Sequence, residues 1–464
     1  MERLSGLDAS FLYLETSTQP LNVCAIVELE PAGDDVRYDA DSLKRELSTR
    51  IRAIPTLRKK LYDSVFNLDH PAWIEDSEFD IDRHFHHMTL PKPGGSGEIA
   101  SVCAYLAAQE LDRTRPLWEL WALDGTPDGR MVVFLKMHHS TVDGVSGANI
   151  ISQLCSLERD APAPTPVTGV GSARRFDLAV AGLFSFATRP LHMATIMPAT
   201  TRILTGWIGR SRRGEAMPSP FTAPRTTFNG TLTEHRTVAF ASLRLSDVKK
   251  VKNAFGAKVN DVVLAMCAGG LRIYLDGMGG LPEDSLIGVV PVSVHEKSSR
   301  PGTNQVSAMF ASLATDIADP AERLRVISKS HEVGKDHNRE IGASLLQDWA
   351  QFASPATFAI AMRAYAALDL AERHPVVHNL VISNVPGPPV PLYFLGAKVT
   401  GLFPLGPIMH GAGLNITVMS GDGRLDVGII ACREQAPDLQ KLADAMSTAL
   451  DELLDAAHTR VGEG

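Results

Sequence analysis

Apolar residues along this chain recur at two spacings, every third or fourth position and every second, and the switching between them sets out the elements. Leu21 to Leu29 reads as a strand. Leu43, Leu47, Ile51 and Ile54 share one face of a helix over Asp41 to Ile54, which Pro55 ends. Phe79 to Leu90 alternates until Pro91-Lys92-Pro93-Gly94-Gly95 breaks it, and Ala100 to Leu111 is again helical. Arg115 to Trp121 begins a strand that turns through Asp124-Gly125 and Pro127-Asp128-Gly129 into an apolar run from Met131 to His138. The two strands of that hairpin should lie side by side, bringing Trp118 close to the end of the second. Val145 to Leu157 then predicts a helix.

Beyond Asp160 the texture changes. Ala161-Pro162-Ala163-Pro164-Thr165-Pro166 has the composition of a linker. Regular patterning resumes at Arg236 to Phe240, a strand, followed by helices over Ser246 to Phe255, with Ser246 as N-cap, and Val262 to Leu275. Leu286 to Val294 and His378 to Ser383 are strand-like. Ala321 to Val333 and Leu345 to Leu370, with a break at Pro355, are helical. Gly413 to Met419 and Leu425 to Ile430 form a hairpin through Gly421-Asp422-Gly423, and Leu439 to Ala457 is a closing amphipathic helix. Both halves mix strands and helices at similar density. Two similar α/β domains are expected, over residues 1–160 and 236–464, joined by 161–235.

The run from Met131 ends in His138-His139-Ser140-Thr141-Val142-Asp143-Gly144. A buried strand that stops in two histidines and an Asp-Gly turn delivers imidazole to the end of a sheet. Neighbouring strand residues point to opposite faces, so only one of the two histidines can look into a given cavity while the other braces the turn. His86-His87 offers a contrast: it lies in an alternating stretch with no Asp-Gly behind it and reads as a pair of polar side chains facing solvent.

A formal charge of −8 and a pI near 6.0 argue against a nucleic-acid binder. Cys24, Cys103, Cys155, Cys267 and Cys432 are scattered, which fits buried thiols in a reducing compartment. The first residues lack the apolar core of a signal peptide, so a cytoplasmic protein is expected. No metal site is expected, since adjacent strand histidines diverge and neither His-Glu-x-x-His nor a Cys cluster adds ligands. A Ser-His-Asp nucleophile lacks its Gly-x-Ser-x-Gly elbow. What remains is a lone histidine, either a core residue tied to a backbone group or a general base taking a proton from a hydroxyl or thiol as that group attacks a carbonyl. Asp143 would hold the turn, by an ion pair with an arginine or by capping the helix.

His138-His139-x-x-x-Asp143-Gly144 resembles the H-H-x-x-x-D-G signature of the coenzyme A-dependent acyltransferase superfamily, which includes chloramphenicol acetyltransferase and the condensation domains of peptide synthetases. The finer resemblance is to the bacterial wax ester synthase/diacylglycerol acyltransferase family. It rests on Leu4-Ser5-Gly6-Leu7-Asp8-Ala9-Ser10-Phe11-Leu12, on Pro116-Leu117-Trp118, on Asn260-Asp261 and on Asn384-Val385-Pro386-Gly387-Pro388, in order along nearly the whole chain. The resemblance implies two chloramphenicol-acetyltransferase-like domains, each a mixed sheet with flanking helices, meeting at a central channel. It implies His139 as the base, with His138, Asp143 and Gly144 supporting it. Asn260, Asp261, Pro116, Leu117, Trp118 and Asn384 become substrate-binding candidates. By residue type alone Asn260-Asp261 would be an N-cap and first-turn acid, and Trp118 a core anchor.

The expected activity is transfer of an acyl group from acyl-CoA, a substrate rather than a cofactor, to diacylglycerol or a long-chain alcohol. Two rivals stay open: a condensation-type enzyme fed by a carrier protein, and a silent lipid- or CoA-binding protein. Residues 171–213 carry Arg174, Arg175, Arg189, Arg202, Arg210, Arg212 and Arg213 against one acid, Asp177, among apolar residues. That stretch could dock peripherally on a membrane or lipid droplet through anionic headgroups, or could be an interdomain crossover.

Overall fold

The computed structural model describes residues 2–30, 39–63, 70–142, 153–162, 164–167, 201, 210, 217–293, 306–341 and 355–462. The first half runs β1 (Glu2–Arg3), α1 (Gly6–Leu14), β2 (Asn22–Leu29), α2 (Ala40–Ile51), β3 (Lys59–Tyr62) and β4 (Ala72–Glu75). It continues through β5 (Phe85–Thr89), α3 (Ser96–Ala108), β6 (Trp118–Asp124), β7 (Val132–His138) and β8 (Cys155–Ser156). The second half begins with β9 (Arg236–Arg244), α4 (Leu245–Phe255), α5 (Val259–Asp276), β10 (Ile287–Ser293), β11 (Val306–Ser312) and α6 (Pro320–Ile341). It closes with α7 (Pro355–Ala367), α8 (Leu370–Arg373), β12 (Leu380–Pro386), β13 (Tyr393–Phe394), β14 (Ala397–Leu405), β15 (Leu414–Gly421), β16 (Arg424–Cys432) and α9 (Leu439–Gly462).

Two mixed sheets organise these elements. One has the order β5-β6-β7-β2-β14-β13-β8, the other β11-β10-β12-β15-β16-β9, and β1-β4-β3 form a small third sheet. In the first, β7 is buried along its whole length, as its apolar run requires. Val133, Leu135 and Met137 turn to the α2 side with Leu43, Leu47 and Ile51, whereas Val132 and Phe134 turn to the α3 side with Ile99, Cys103 and Leu106. Lys136 shares that second face at 1% exposure. It is tolerated because Glu119, directly across in register, pairs with it at 2.9 Å, and the Leu106 and Gln109 carbonyls accept its remaining N–H groups. In the second half, α4, α5, α6 and α9 cover the sheet, and α5 and α9 approach closely at Gly270, where a Cβ would lie 2.6 Å from Met446 Cγ.

The halves exchange material. β14, with β13, leaves the second half and joins the first sheet beside β2, with a bulge between Val399 and Gly401. Gly428 of β16 lets this crossing happen, because any Cβ there would enter the van der Waals shell of the Pro404 carbonyl oxygen.

Two expectations need correction. Cys155 and Ser156 do not end a helix over 145–157; they pair with β13 as a strand, because the edge of the first sheet captures them. Residues 143–152 lie outside the described residues. Ser246 is not an N-cap either: β9 runs directly into α4 at Arg244, so the Ser246 hydroxyl is already inside the first turn, and the Leu245 N–H is satisfied by the Gly423 carbonyl. Among the described residues no single helix is long and apolar enough to cross a membrane. α4 and α5, bent by 105°, reach that length and composition only together, and α5 is buried in the core.

Candidate active site

β7 delivers His138 as its last residue, paired in register with Asn22 on β2, and His139 falls in the turn that follows. The two histidines have different surroundings. His138 is 1% exposed. Its Nδ1 accepts the backbone N–H of Ser140 at 3.0 Å and meets Ser140 Oγ at 2.7 Å, so Nε2 is the nitrogen that carries the proton. Nε2 faces Glu15 Oε1 at 3.5 Å, the outer limit of a hydrogen bond. Glu15 follows the last residue of α1, and its other oxygen pairs with Arg113 Nη2 at 2.6 Å. Burial alone would raise the Glu15 pKa; His138 and Arg113 outweigh it and hold the carboxyl down at about 2. Glu15 is therefore an ionised strut under His138. No sequence pattern singled it out, since its partners stand 98 and 123 residues away.

His139 is less enclosed. Its N–H donates to the Leu21 carbonyl at 2.8 Å, its ring is only partly buried, and Phe11 stacks on it with centroids 4.0 Å apart and planes 20° from parallel. Thr141 Oγ1 donates back to the His138 carbonyl at 2.6 Å and tightens the turn. Asp143 and Gly144, expected to brace it further, lie outside the described residues.

Phe11 is held by α1. Ser5 caps that helix, its hydroxyl accepting the Asp8 N–H at 3.1 Å. Leu4, Ala9, Leu12 and Tyr13 share one buried cluster with Leu117. The N-terminal motif and the Pro-Leu-Trp motif thus pack on each other and together seat the ring against His139. Pro116 contributes a carbonyl that accepts the Trp118 N–H at 2.9 Å.

Trp118 does not face the histidines. It lies opposite Met137 in register and shares Met137's side of the sheet, the face away from His138. There it stacks on His84 with centroids 4.6 Å apart, and its indole N–H donates to the Leu57 carbonyl at 2.7 Å. Strand pairing alone brought Trp118 next to the site; the pleat turned it away.

The second half contributes another polar group. Asp261, in the first turn of α5, accepts the Lys258 N–H at 3.0 Å, closing that helix start. Its other oxygen lies 2.6 Å from Nδ1 of His331 on α6. Asn260 lies beside this pair, with Nδ2 3.4 Å from His331 Nε2 and Oδ1 accepting from Asn384 Nδ2 at 3.1 Å. Asn384 is on β12, and the next residue, Val385, turns the other way into the buried cluster that holds Met137 and Val142, which bracket the histidines. The end of β12 is thus a seam between this group and the histidine turn. His331 has no motif to mark it and was missed in the sequence.

Comparison with known proteins follows the same outline. The model of the wax ester synthase/diacylglycerol acyltransferase catalytic domain matches residues 4–263, and that of the WS/DGAT C-terminal domain matches 302–454. A Mycobacterium tuberculosis protein named as a diacylglycerol O-acyltransferase is 48% identical over 458 residues, 98% of this chain and 91% of the relative. A second from that organism, named likewise, is 34% identical over 464 residues, 97% of this chain and 99% of its own. Among solved structures, the wax ester synthase/diacylglycerol acyltransferase from Marinobacter aquaeolei VT8 superposes with a TM-score of 0.72 at 28% identity, covering 99% of this chain and 100% of its own. The first condensation domain of the calcium-dependent antibiotic synthetase, at 15% identity, TM-score 0.58 and 98% and 96% coverage, shares the fold.

Proposed function

Because the chain belongs to the wax ester synthase/diacylglycerol acyltransferase family, we propose that this acyltransferase moves an acyl group from acyl-CoA to the free hydroxyl of diacylglycerol, forming triacylglycerol. In this reading His139 is the general base, and long-chain alcohols are alternative acceptors that would give wax esters. Acyl-CoA is a substrate, and the chemistry calls for no further cofactor.

The observation that supports the assignment is the division of labour between the histidines. His138 has Nδ1 engaged by Ser140 and Nε2 turned to Glu15, so neither nitrogen has a lone pair to offer a substrate. His139, partly exposed and stacked on Phe11, is the imidazole to which we assign that proton transfer. The acceptor hydroxyl gives its proton to His139 Nε2 as its oxygen attacks the thioester carbonyl, and the tetrahedral oxyanion collapses with loss of the CoA thiolate, which receives the proton. An oxyanion of this kind needs fixed donors, and the Asn260 and Asn384 amides are the candidates in the second half.

The test is CoA release by the purified protein given a long-chain acyl-CoA with diacylglycerol, with a long-chain alcohol, or with neither. Release with diacylglycerol exceeding both other arms is expected. Release that depends on neither acceptor removes the reading, and release with the alcohol alone replaces the acceptor.

A further inference from the structure

Behind Asn260 lies a buried acid–imidazole pair. Asp261 and His331 are 3% and 4% exposed, whereas Asn260 and Asn384 in front of them are only partly buried. Asp261 collects three donors: His331 Nδ1 at 2.6 Å, the Lys258 N–H at 3.0 Å and Ser328 Oγ at 3.2 Å. Burial works against its charge, but these hydrogen bonds prevail and hold its carboxyl below the usual range.

An ionised carboxylate only accepts, so the proton between it and the ring belongs to His331 Nδ1. In the neutral ring Nε2 offers a lone pair, which meets the NH₂ of Asn260 and leaves the Asn260 carbonyl oxygen to take an N–H from Asn384. Reversing any one member sets donor against donor or acceptor against acceptor at a neighbouring contact. Polarity therefore passes in one direction, from Asp261 through His331 and Asn260 to Asn384.

We propose that His331, oriented by Asp261, is a positioning residue for acyl transfer: it fixes which way round the Asn260 and Asn384 amides stand. Each amide retains a second N–H, and two amides locked in one orientation supply donors to an oxyanion without reorganising during the reaction. The inference rests on the proposed function and on those amides facing the reacting acyl group.

Asp261→Asn keeps the shape and breaks the polarity. The new side chain's oxygen must still accept from the Lys258 N–H, which turns its NH₂ to His331. His331 then accepts at Nδ1, carries its proton on Nε2 and opposes the Asn260 amide. The expected result is a fall in kcat for CoA release on the order of 10–100-fold, with KM for acyl-CoA little changed and a lower melting temperature from the lost carboxylate. In an Asn260→Ala background the same change should cost almost nothing more. His331→Gln, whose carbonyl oxygen can stand in for Nε2, should retain more activity than His331→Asn, which cannot reach Asn260. Equal losses from Asp261→Asn with and without Asn260 overturn the inference, as does an unchanged kcat. A silent Asn260→Ala in an active enzyme overturns it while leaving acyl transfer standing; no CoA release by the wild-type protein overturns both.

Discussion

Glu15→Gln separates the strut beneath His138 from everything else in the site. The Glu15 side chain is 6% exposed, and its pKa is displaced from 4.5 to about 2 by His138 and Arg113 acting against burial. At about 1.4 kcal/mol per tenfold, that displacement is worth about 3 kcal/mol of folding free energy. Because the folded value is depressed, the stabilisation is fully present above pH 4.5 and is lost as the pH falls towards 2. The amide keeps the shape and gives up this charge-dependent part. At an unfolding entropy of about 2.1 cal/mol/K per residue, the 464 residues unfolding together would lose roughly 3 °C in Tm. Urea unfolding of both proteins at several pH values is the assay. The wild type should lead by a constant margin above pH 5, and the margin should shrink as the pH falls below 4.5. An equal margin at pH 3.5 and pH 7, or none at pH 7, would refute the ionised strut.

Phe11→Ala removes the ring stacked on His139; at about 0.5–1.5 kcal/mol for such a pair, kcat for CoA release should fall roughly two- to tenfold, and an unchanged rate would mean the stack does not position the imidazole. Gly428→Ala should cost about 1–3 kcal/mol in urea unfolding by pushing β16 off Pro404, and wild-type stability would contradict the close crossing of the sheets. His410 is held at about 4 by burial and the nearby Arg236, despite Asp369. The unfolded chain takes up that proton near 6.5 and the folded chain resists until about 4, so acidification between those values should destabilise wild type more than His410→Asn; parallel pH curves would exclude this. Arg210, Arg212 and Arg213 changed together to Glu should weaken sedimentation with anionic liposomes if residues 171–213 dock on lipid, and unaltered sedimentation would make that stretch a connector.

Periodicity exposed the elements whose apolar faces repeat within one segment. α2 is the clear case: Leu43, Leu47 and Ile51 are the apolar residues it buries, and Pro55 starts the next turn. β14 was hidden because Gly401, which follows a bulge at Val399, and Pro404 interrupt its pattern. The histidine turn was legible because strand, His-His and turn are contiguous. Glu15, Arg113 and His331 were not, because their roles come from tertiary approach of residues far apart in sequence. Trp118 shows the converse: local pairing placed it correctly beside β7, while the direction of its side chain depended on a register that only the folded sheet sets.

The assignment of proton transfer to His139 is tested most directly by CoA release from His139→Ala and His138→Ala, each shown to be folded by circular dichroism. A general base contributes about 10²–10⁴ in rate, so His139→Ala should lose that much in kcat with its Tm nearly unchanged, since it lies in the turn and is only partly buried. His138→Ala should lose less activity and more stability, because it removes the partner of Glu15 and Ser140. Near wild-type turnover by folded His139→Ala would contradict the account.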